Sequence, residues 1–318
     1  MKRQRSGKGY SFLTSSGSVL RDASEIQRLK SLAVPPAYIN VRFAADKAAH
    51  LQAVGEDAAG RLQYRYHPRW TDVREALKAR RLASIARSLP DIRRAVARSL
   101  ASAELDRRFV AACIVELVGL TAIRAGSEEY ARDHGTRGAT TLLKSNVRLG
   151  AKNVVTLSFK AKGGKLVTKD VKNARLHAAL ARLLALPGRR LFQCHEPDHA
   201  VRAVRAAEVN AFLKEIAGRR ISLKDFRTLV ASAAALKALA ETIPATSERQ
   251  RRRQVREAVV GIAEQLTNTP TVCRASYVHG SVVTAFEAGA LKAAQIKKAK
   301  SPVRQAELLA RIVSKHVG

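Results

Sequence analysis

Carboxylates are scarce in this chain: 26 Asp and Glu stand against 58 Lys and Arg among 318 residues, for a formal charge of +32. So few acids, none of them clustered, leave no set of convergent carboxylates for a two-metal phosphoryl-transfer site, since the neighbours Glu128 and Glu129 point to different faces of a helix. Long apolar runs are missing too. The most apolar stretch, Phe109 to Ile123, carries Glu116 and falls short of the roughly 20 residues that span a bilayer, so no membrane insertion is expected. Cysteine is limited to Cys113, Cys194 and Cys273, an odd number set far apart, and the basic start Met1 to Arg5 leads into no apolar signal segment, so a reducing cytosol is the expected compartment. Cys194, His195 and His199 lack a fourth ligand at zinc spacing, and no structural metal is expected. What is present is a field that captures polyanions, together with 46% apolar residues, enough to build a core. Those two properties, with a length that suits about two domains, point to a folded protein whose partner is nucleic acid.

Residues 1 to 25 are rich in Ser, Gly, Lys and Arg without apolar periodicity, which predicts a flexible basic arm. From 26 to 70 short alternating pieces, such as Tyr38 to Phe43 and His50 to Val54, are broken by Pro35-Pro36 and Gly55 and predict a small β-rich domain. From 71 to 318 the period becomes helical. The windows are Thr71 to Ala86, Asp91 to Ala101 with Pro90 as punctuation, Asp106 to Leu120, Leu176 to Leu186, Glu208 to Ile216, and a helix from Leu223 capped by Ser222. Ser247-x-x-Gln250 resembles a capping box ahead of the stripe Val255, Val259, Ile262, Leu266, and Pro270 suits the first position of a short helix holding Arg274 and Tyr277. One insert is strand-like: Val155, Leu157 and Phe159 alternate with polar residues, and Gly163-Gly164 turns the chain into Leu166 to Val171, placing Lys162 at a hairpin tip. The fold class is therefore α+β, a small β-rich domain followed by a mainly helical one with a hairpin insert.

Metal-free phosphoryl transfer needs a nucleophile, cations for the non-bridging oxygens and an acid for the leaving alkoxide. Five separated segments supply candidates in order: Gly60-Arg61-x-Gln63-Tyr64-x-Tyr66 with His67-Pro68-x-Trp70; Arg124-Ala125-Gly126-x-Glu128-Glu129-Tyr130; Phe159-x-x-Lys162-x-Gly164-Lys165; Ser222-Leu223-Lys224-Asp225-Phe226-Arg227-Thr228; and Asn268-Thr269-Pro270 through Arg274-x-Ser276-Tyr277-Val278-His279. In this order, from about Val34 to Ala288, the chain resembles the short bacterial and poxvirus-like type IB DNA topoisomerases. The resemblance implies that Tyr277 is the nucleophile and forms a 3′-phosphotyrosyl link. It further implies that Arg124 and Arg227 hold the phosphorane oxygens, that Lys162 protonates the 5′-oxygen, and that Asn268 donates a hydrogen bond where many relatives have His. It implies no cofactor and no metal. The partner would be double-stranded DNA, gripped by a monomer closing as a clamp in the cytoplasm, on the nucleoid. Arg61, Gln63, Tyr64 and Tyr66 would be DNA contacts, with Gln63 and Tyr64 at the groove and Tyr66 at a phosphate. From the strand pattern alone, one of the two tyrosines is expected in the core and the other on DNA. The chain departs from the family at Leu229, where many relatives carry an aromatic, and at Gly280, where Pro is common.

Taken singly, Tyr277 reads as a half-buried core tyrosine, Lys162 as a solubilising turn residue and each arginine as a surface cation; only the ordered set makes them catalytic. Arg249 to Arg253 reads as a solvated helix face. A tyrosine recombinase shares the order Arg, Lys, Arg, Tyr, but typically has His three residues before the second Arg, where this chain has Lys224. A non-catalytic, chromatin-type DNA-binding protein is what the charge alone would allow.

Overall fold

The computed structural model describes residues 1–7, 9–196 and 200–314, so His199 lies outside the described residues. The chain divides into two units, Met1–Leu77 and Lys78–Gly318.

The first unit is a five-stranded antiparallel sheet formed by β1 (Lys2–Ser6), β2 (Gly9–Leu13), β3 (Ile39–Phe43), β4 (Leu51–Glu56) and β5 (Leu62–Tyr66), in the order β2-β1-β3-β4-β5. Helix α1 (Ala23–Ser31), capped by Asp22, contributes the buried Leu29 to a small core of Phe12, Val41, Phe43 and Ala53. The predicted flexible arm is thus a β-hairpin. Lys2 pairs with Leu13 and Ser6 with Gly9 across it, and Lys2 also faces Arg42 of β3. The arm escaped detection because little in this ladder depends on apolar side chains. Backbone bonds hold it, the terminal amine donates to the Phe43 carbonyl at 3.0 Å, and Arg3 donates to the carbonyls of Val34 (3.1 Å) and Pro35 (3.0 Å). Phe12 is buried in the core, edge-on to Phe43, and Met1 and Leu20 pack against that core.

The helix α2 (Pro68–Leu100) runs unbroken through Pro90, where two helices were expected, and the division between the units falls inside it. Pro90 removes one backbone donor and crowds the carbonyl four residues earlier, a cost that packing of Leu82, Ile85, Ala86, Leu89 and Ile92 in the core offsets. The second unit is built around α3 (Arg107–Thr121), which is apolar on all sides and therefore central. Short α4 (Glu128–His134) follows. Next come β6 (Val147–Gly150), β7 (Val154–Lys160) and β8 (Leu166–Lys172), a three-stranded antiparallel sheet in which β7 and β8 are the expected hairpin and β6 is an additional edge strand. Then come α5 (Ala174–Leu184), the two-stranded β9 (Gln193–His195) and β10 (Val201–Ala203), α6 (Ala206–Ala217), α7 (Leu223–Ala240) and α8 (Glu248–Gln265). The chain closes with α9 (Pro270–Ser276), α10 (Gly280–Glu287), α11 (Ala293–Lys298) and α12 (Pro302–Ser314). In the Arg249 to Arg253 run, Arg252 and Arg253 pair with Glu248 and Glu257 one turn away, while Arg251 donates to the Ala245 and Thr246 carbonyls. No helix of the structure is long and apolar enough to cross a membrane, among the described residues.

Candidate active site

The end of α8 organises the site. A helix leaves its last carbonyls without partners and carries the negative end of its dipole there, so cations are favoured. Three consecutive carbonyls at this end each accept from a different cation. Gln265 O accepts from Lys169 Nζ at 2.6 Å, Leu266 O from Arg227 Nη2 at 3.0 Å, and Thr267 O from Arg124 Nη1 at 3.3 Å. Thr267 sits in the left-handed region (φ 54), an uncommon choice for a β-branched residue, and the amides of Thr267 and Asn268 close the helix by bonding Glu264 O and Ala263 O, both at 2.9 Å. The turn sets Asn268 beside Arg124, whose Nη2 donates to Asn268 Oδ1 at 2.5 Å.

Arg124 is delivered by an equally tight loop. Ala122 caps α3 in the left-handed conformation (φ 52), and the segment after α4 clasps the loop through Ala139 N to Arg124 O and Thr140 N to Ala125 O, both at 2.8 Å. Gly138 makes this approach possible: a Cβ there would lie 2.5 Å from Gly126 N and 2.6 Å from Arg124 O.

Arg227, in the first turns of α7, is 3% exposed. Its Nη1 donates to the Ala122 carbonyl and its Nη2 to Leu266 O, while Nε has no hydrogen-bond partner among the described residues. Its Cζ stands 4.8 Å from the centroid of the Tyr277 ring. Burial lowers the guanidinium's pKa from its ordinary value; Tyr277 opposes that shift and the charge of Arg124 adds to it. Tyr277, half-buried, is the C-cap of α9, just beyond the helix expected to hold it, and Pro270 opens that helix with Thr269 as its cap. Ser232 of α7 is fully buried, donates to Tyr277 O at 2.9 Å and accepts from His279 N at 3.1 Å, so the helix that carries Arg227 also grips the backbone on both sides of Val278.

Four of the five sequence-predicted catalytic residues therefore touch one another directly or through adjacent carbonyls: Arg124, Arg227, Asn268 and Tyr277. Lys162 does not join them. It is exposed in the tight turn Lys162–Gly164 between β7 and β8, with Nζ 5.4 Å from the Tyr130 ring centroid, and makes no hydrogen bond to the four among the described residues. Two cations were missed. Lys169 and Arg137 line the same small cavity as Arg124 and Arg227, and burial lowers the pKa of each from its usual value, with like charge from Arg227 adding at Lys169. A Lys at an inward-facing position of an otherwise alternating strand was the available signal for Lys169.

In the first unit, Tyr64 and Tyr66 are both exposed on one face of β5, with ring centroids 6.3 Å apart, and Tyr66 stacks in turn on Trp70 at 6.1 Å. The expected division into one core and one outward tyrosine fails because residues two apart in a strand share a face. Arg61 Nε and Gln63 Nε2 both donate to Asp57 Oδ2, at 3.0 and 2.9 Å, and these bonds with the Arg61 amide hold the Asp57 carboxyl down at about 2.

Two family models and a curated relative match the chain. The family model described as "Eukaryotic DNA topoisomerase I, catalytic core" matches residues 69–306, and that described as "Bacterial DNA topoisomerase IB, N-terminal domain" matches residues 9–57. Among curated proteins, "DNA topoisomerase 1B" of Acanthamoeba polyphaga mimivirus is 29% identical over 283 residues, covering 87% of this chain and 84% of the relative.

Proposed function

This chain belongs to the type IB DNA topoisomerases, and on that premise we propose how its own residues relax supercoiled DNA. Tyr277 Oη gives up its proton to solvent water and attacks the scissile phosphorus, forming the phosphotyrosyl bond to the 3′ side while the bond to the 5′-oxygen breaks. Lys162, at the hairpin tip, gives its proton to that leaving oxygen. Arg124, Arg227 and Asn268 hold the non-bridging oxygens, where charge builds in the pentacoordinate transition state. The free 5′-hydroxyl strand rotates under the torsion of the DNA and then attacks the phosphotyrosine, reversing each step. The bond energy is kept in the phosphotyrosyl link, so no ATP is consumed, and Lys162, the two arginines and Asn268 take the acid and charge-stabilising roles without a cofactor or divalent metal.

The observation that carries this reading is the buried Arg227 guanidinium over the Tyr277 ring, fixed by two carbonyls yet with Nε unsatisfied among the described residues. A buried donor without a partner costs roughly 1–3 kcal/mol, which a phosphate oxygen at that point would recover. Asn268 is committed to Arg124 through Oδ1, while its Nδ2 makes only a long 3.3 Å contact to Leu266 O and can exchange that for phosphate. We also propose that the protein acts as a monomer whose two units close on duplex DNA, and that it works on the nucleoid of the cytoplasm. Arg61, Gln63, Tyr64 and Tyr66 would supply contacts from the first unit, with Arg61 and Gln63 partly exchanging Asp57 for DNA.

The test is plasmid relaxation in EDTA, with covalent adducts followed on end-labelled duplex. Wild-type protein should relax supercoils of both signs, whereas Tyr277→Phe should bind DNA and yield neither adduct nor relaxed product. Relaxation by Tyr277→Phe at the wild-type rate would remove Tyr277 from the reaction.

A further inference from the structure

Lys169 is an expensive residue where it stands. It is half-buried, its ammonium lies close enough to Arg227 for like charge to be felt, and desolvation works against its charge. A neutral side chain at this point of β8 would avoid both costs. What the lysine gains, among the described residues, is one bond, from Nζ to the last carbonyl of α8, Gln265 O, at 2.6 Å, across 96 residues of sequence. That bond is a polar link between two pieces of the site that line one small cavity. One is the hairpin β7–β8, whose turn bears Lys162. The other is the end of α8, whose next two carbonyls hold Arg227 and Arg124 and whose turn presents Asn268. Lys169 belongs to the same strand as the base of that turn and pairs in register with Leu157, which is fully buried, so the hairpin cannot shift at Lys169 without disturbing the core.

We propose that Lys169 is a positioning residue that fixes the hairpin to the end of α8 and thereby sets where Lys162 stands relative to the arginine cluster. The proposal rests on the reading of Lys162 as the leaving-group acid. The lysine acts through Lys162 and does not touch DNA. Arginine, which can reach the same carbonyl with a charge, should serve in its place; methionine, which keeps the apolar stem and loses the donor, should not.

The experiment is single-turnover cleavage at saturating enzyme by wild type, Lys162→Ala, Lys169→Met, Lys169→Arg and the double variant Lys162→Ala/Lys169→Met. Two labelled duplexes are used, one normal and one with sulfur replacing the scissile 5′-oxygen. Thermal melting of each variant checks that it folds. On normal DNA, Lys169→Met should be slower by about 10- to 100-fold, a part of the ~10²- to 10⁴-fold supplied by a positioned acid. Lys169→Arg should recover most of that loss, and the double variant should be no slower than Lys162→Ala, because a residue acting through Lys162 has nothing left to position. On the sulfur substrate, whose thiolate leaves unprotonated, both single variants should approach wild type. A double variant slower than Lys162→Ala by the full Lys169→Met factor overturns the proposal, and so does a wild-type rate for Lys169→Met on normal DNA. If Lys162→Ala stays slow on the sulfur substrate, the acid reading of Lys162 fails. The double variant then still decides whether Lys169 works through it.

Discussion

Arg227 carries two burdens in one side chain. Its Nη1 and Nη2 satisfy the carbonyls of Ala122 and Leu266, which close α3 and α8, while its face covers the Tyr277 ring. A lysine concentrates its three donors on one nitrogen, which cannot span both carbonyls as the fork does or cover the ring with a plane, so the guanidinium serves both purposes better. Arg227→Lys should therefore cleave about 10²- to 10³-fold more slowly at saturating DNA, the loss typical of one oxyanion donor, measured as single-turnover adduct formation. Arg227→Ala should also melt earlier, with stability reduced by about 1–3 kcal/mol for buried carbonyls left unpaired, in contrast to the stabilisation that often follows deletion of a catalytic residue. Asn268→His should keep much of the activity, since an imidazole can donate the same kind of bond; loss as deep as that of Arg124→Ala in the same assay would show that Oδ1, the acceptor for Arg124, matters more than the donor.

Among the elements, the loop carrying Arg124 depends on a neighbour with no side chain. Gly138→Ala would drive a methyl into the backbone at Arg124 and Gly126, and overpacking of this kind costs ~1–3 kcal/mol. Because the displaced atoms belong to the arginine's own loop, the variant should lose cleavage rate out of proportion to its loss in melting temperature; unchanged cleavage would show that the loop adjusts freely. The sequence made the hairpin of β7 and β8 readable, because Val155, Leu157 and Phe159 alternate into a core and Gly163-Gly164 supplies the turn. It made α3, α5, α6, α7, α8 and α9 readable from apolar stripes and caps to within a few residues. It hid β1 and β2, whose cohesion comes from backbone bonds and from Arg3, and it suggested a break at Pro90 because a proline's local penalty is visible in sequence while the packing that outweighs it is not. The left-handed turns at Ala122 and Thr267 were equally hidden, since neither position carries the glycine that usually marks them. Within the site, the ordered motifs named Arg124, Arg227, Asn268 and Tyr277, whereas Lys169 left only its inward-facing strand position as a signal, and its partner is a carbonyl nearly a hundred residues away.

At the scale of the whole molecule, a charge of +32 makes release from DNA a question of ionic strength. If duplex DNA is gripped through ~6 to 10 phosphate contacts, affinity should fall by about 10³- to 10⁵-fold between 50 and 200 mM salt, as read from binding isotherms; a nearly flat salt response would mean that few phosphates are engaged. Changing Gln63 and Tyr64 together to Ala should weaken binding while leaving single-turnover cleavage at full occupancy near wild type, and a cleavage rate as low as that of Arg124→Ala would instead make these residues part of the reacting site. The three carbonyls at the end of α8 bear on this salt dependence in another way. They are uncharged stand-ins, so the cations they hold are oriented without being neutralised. Had carboxylates held them, an arriving phosphodiester would first have to displace an anion of its own sign. Here it meets cations whose charge is uncancelled, and what it displaces is only a dipole.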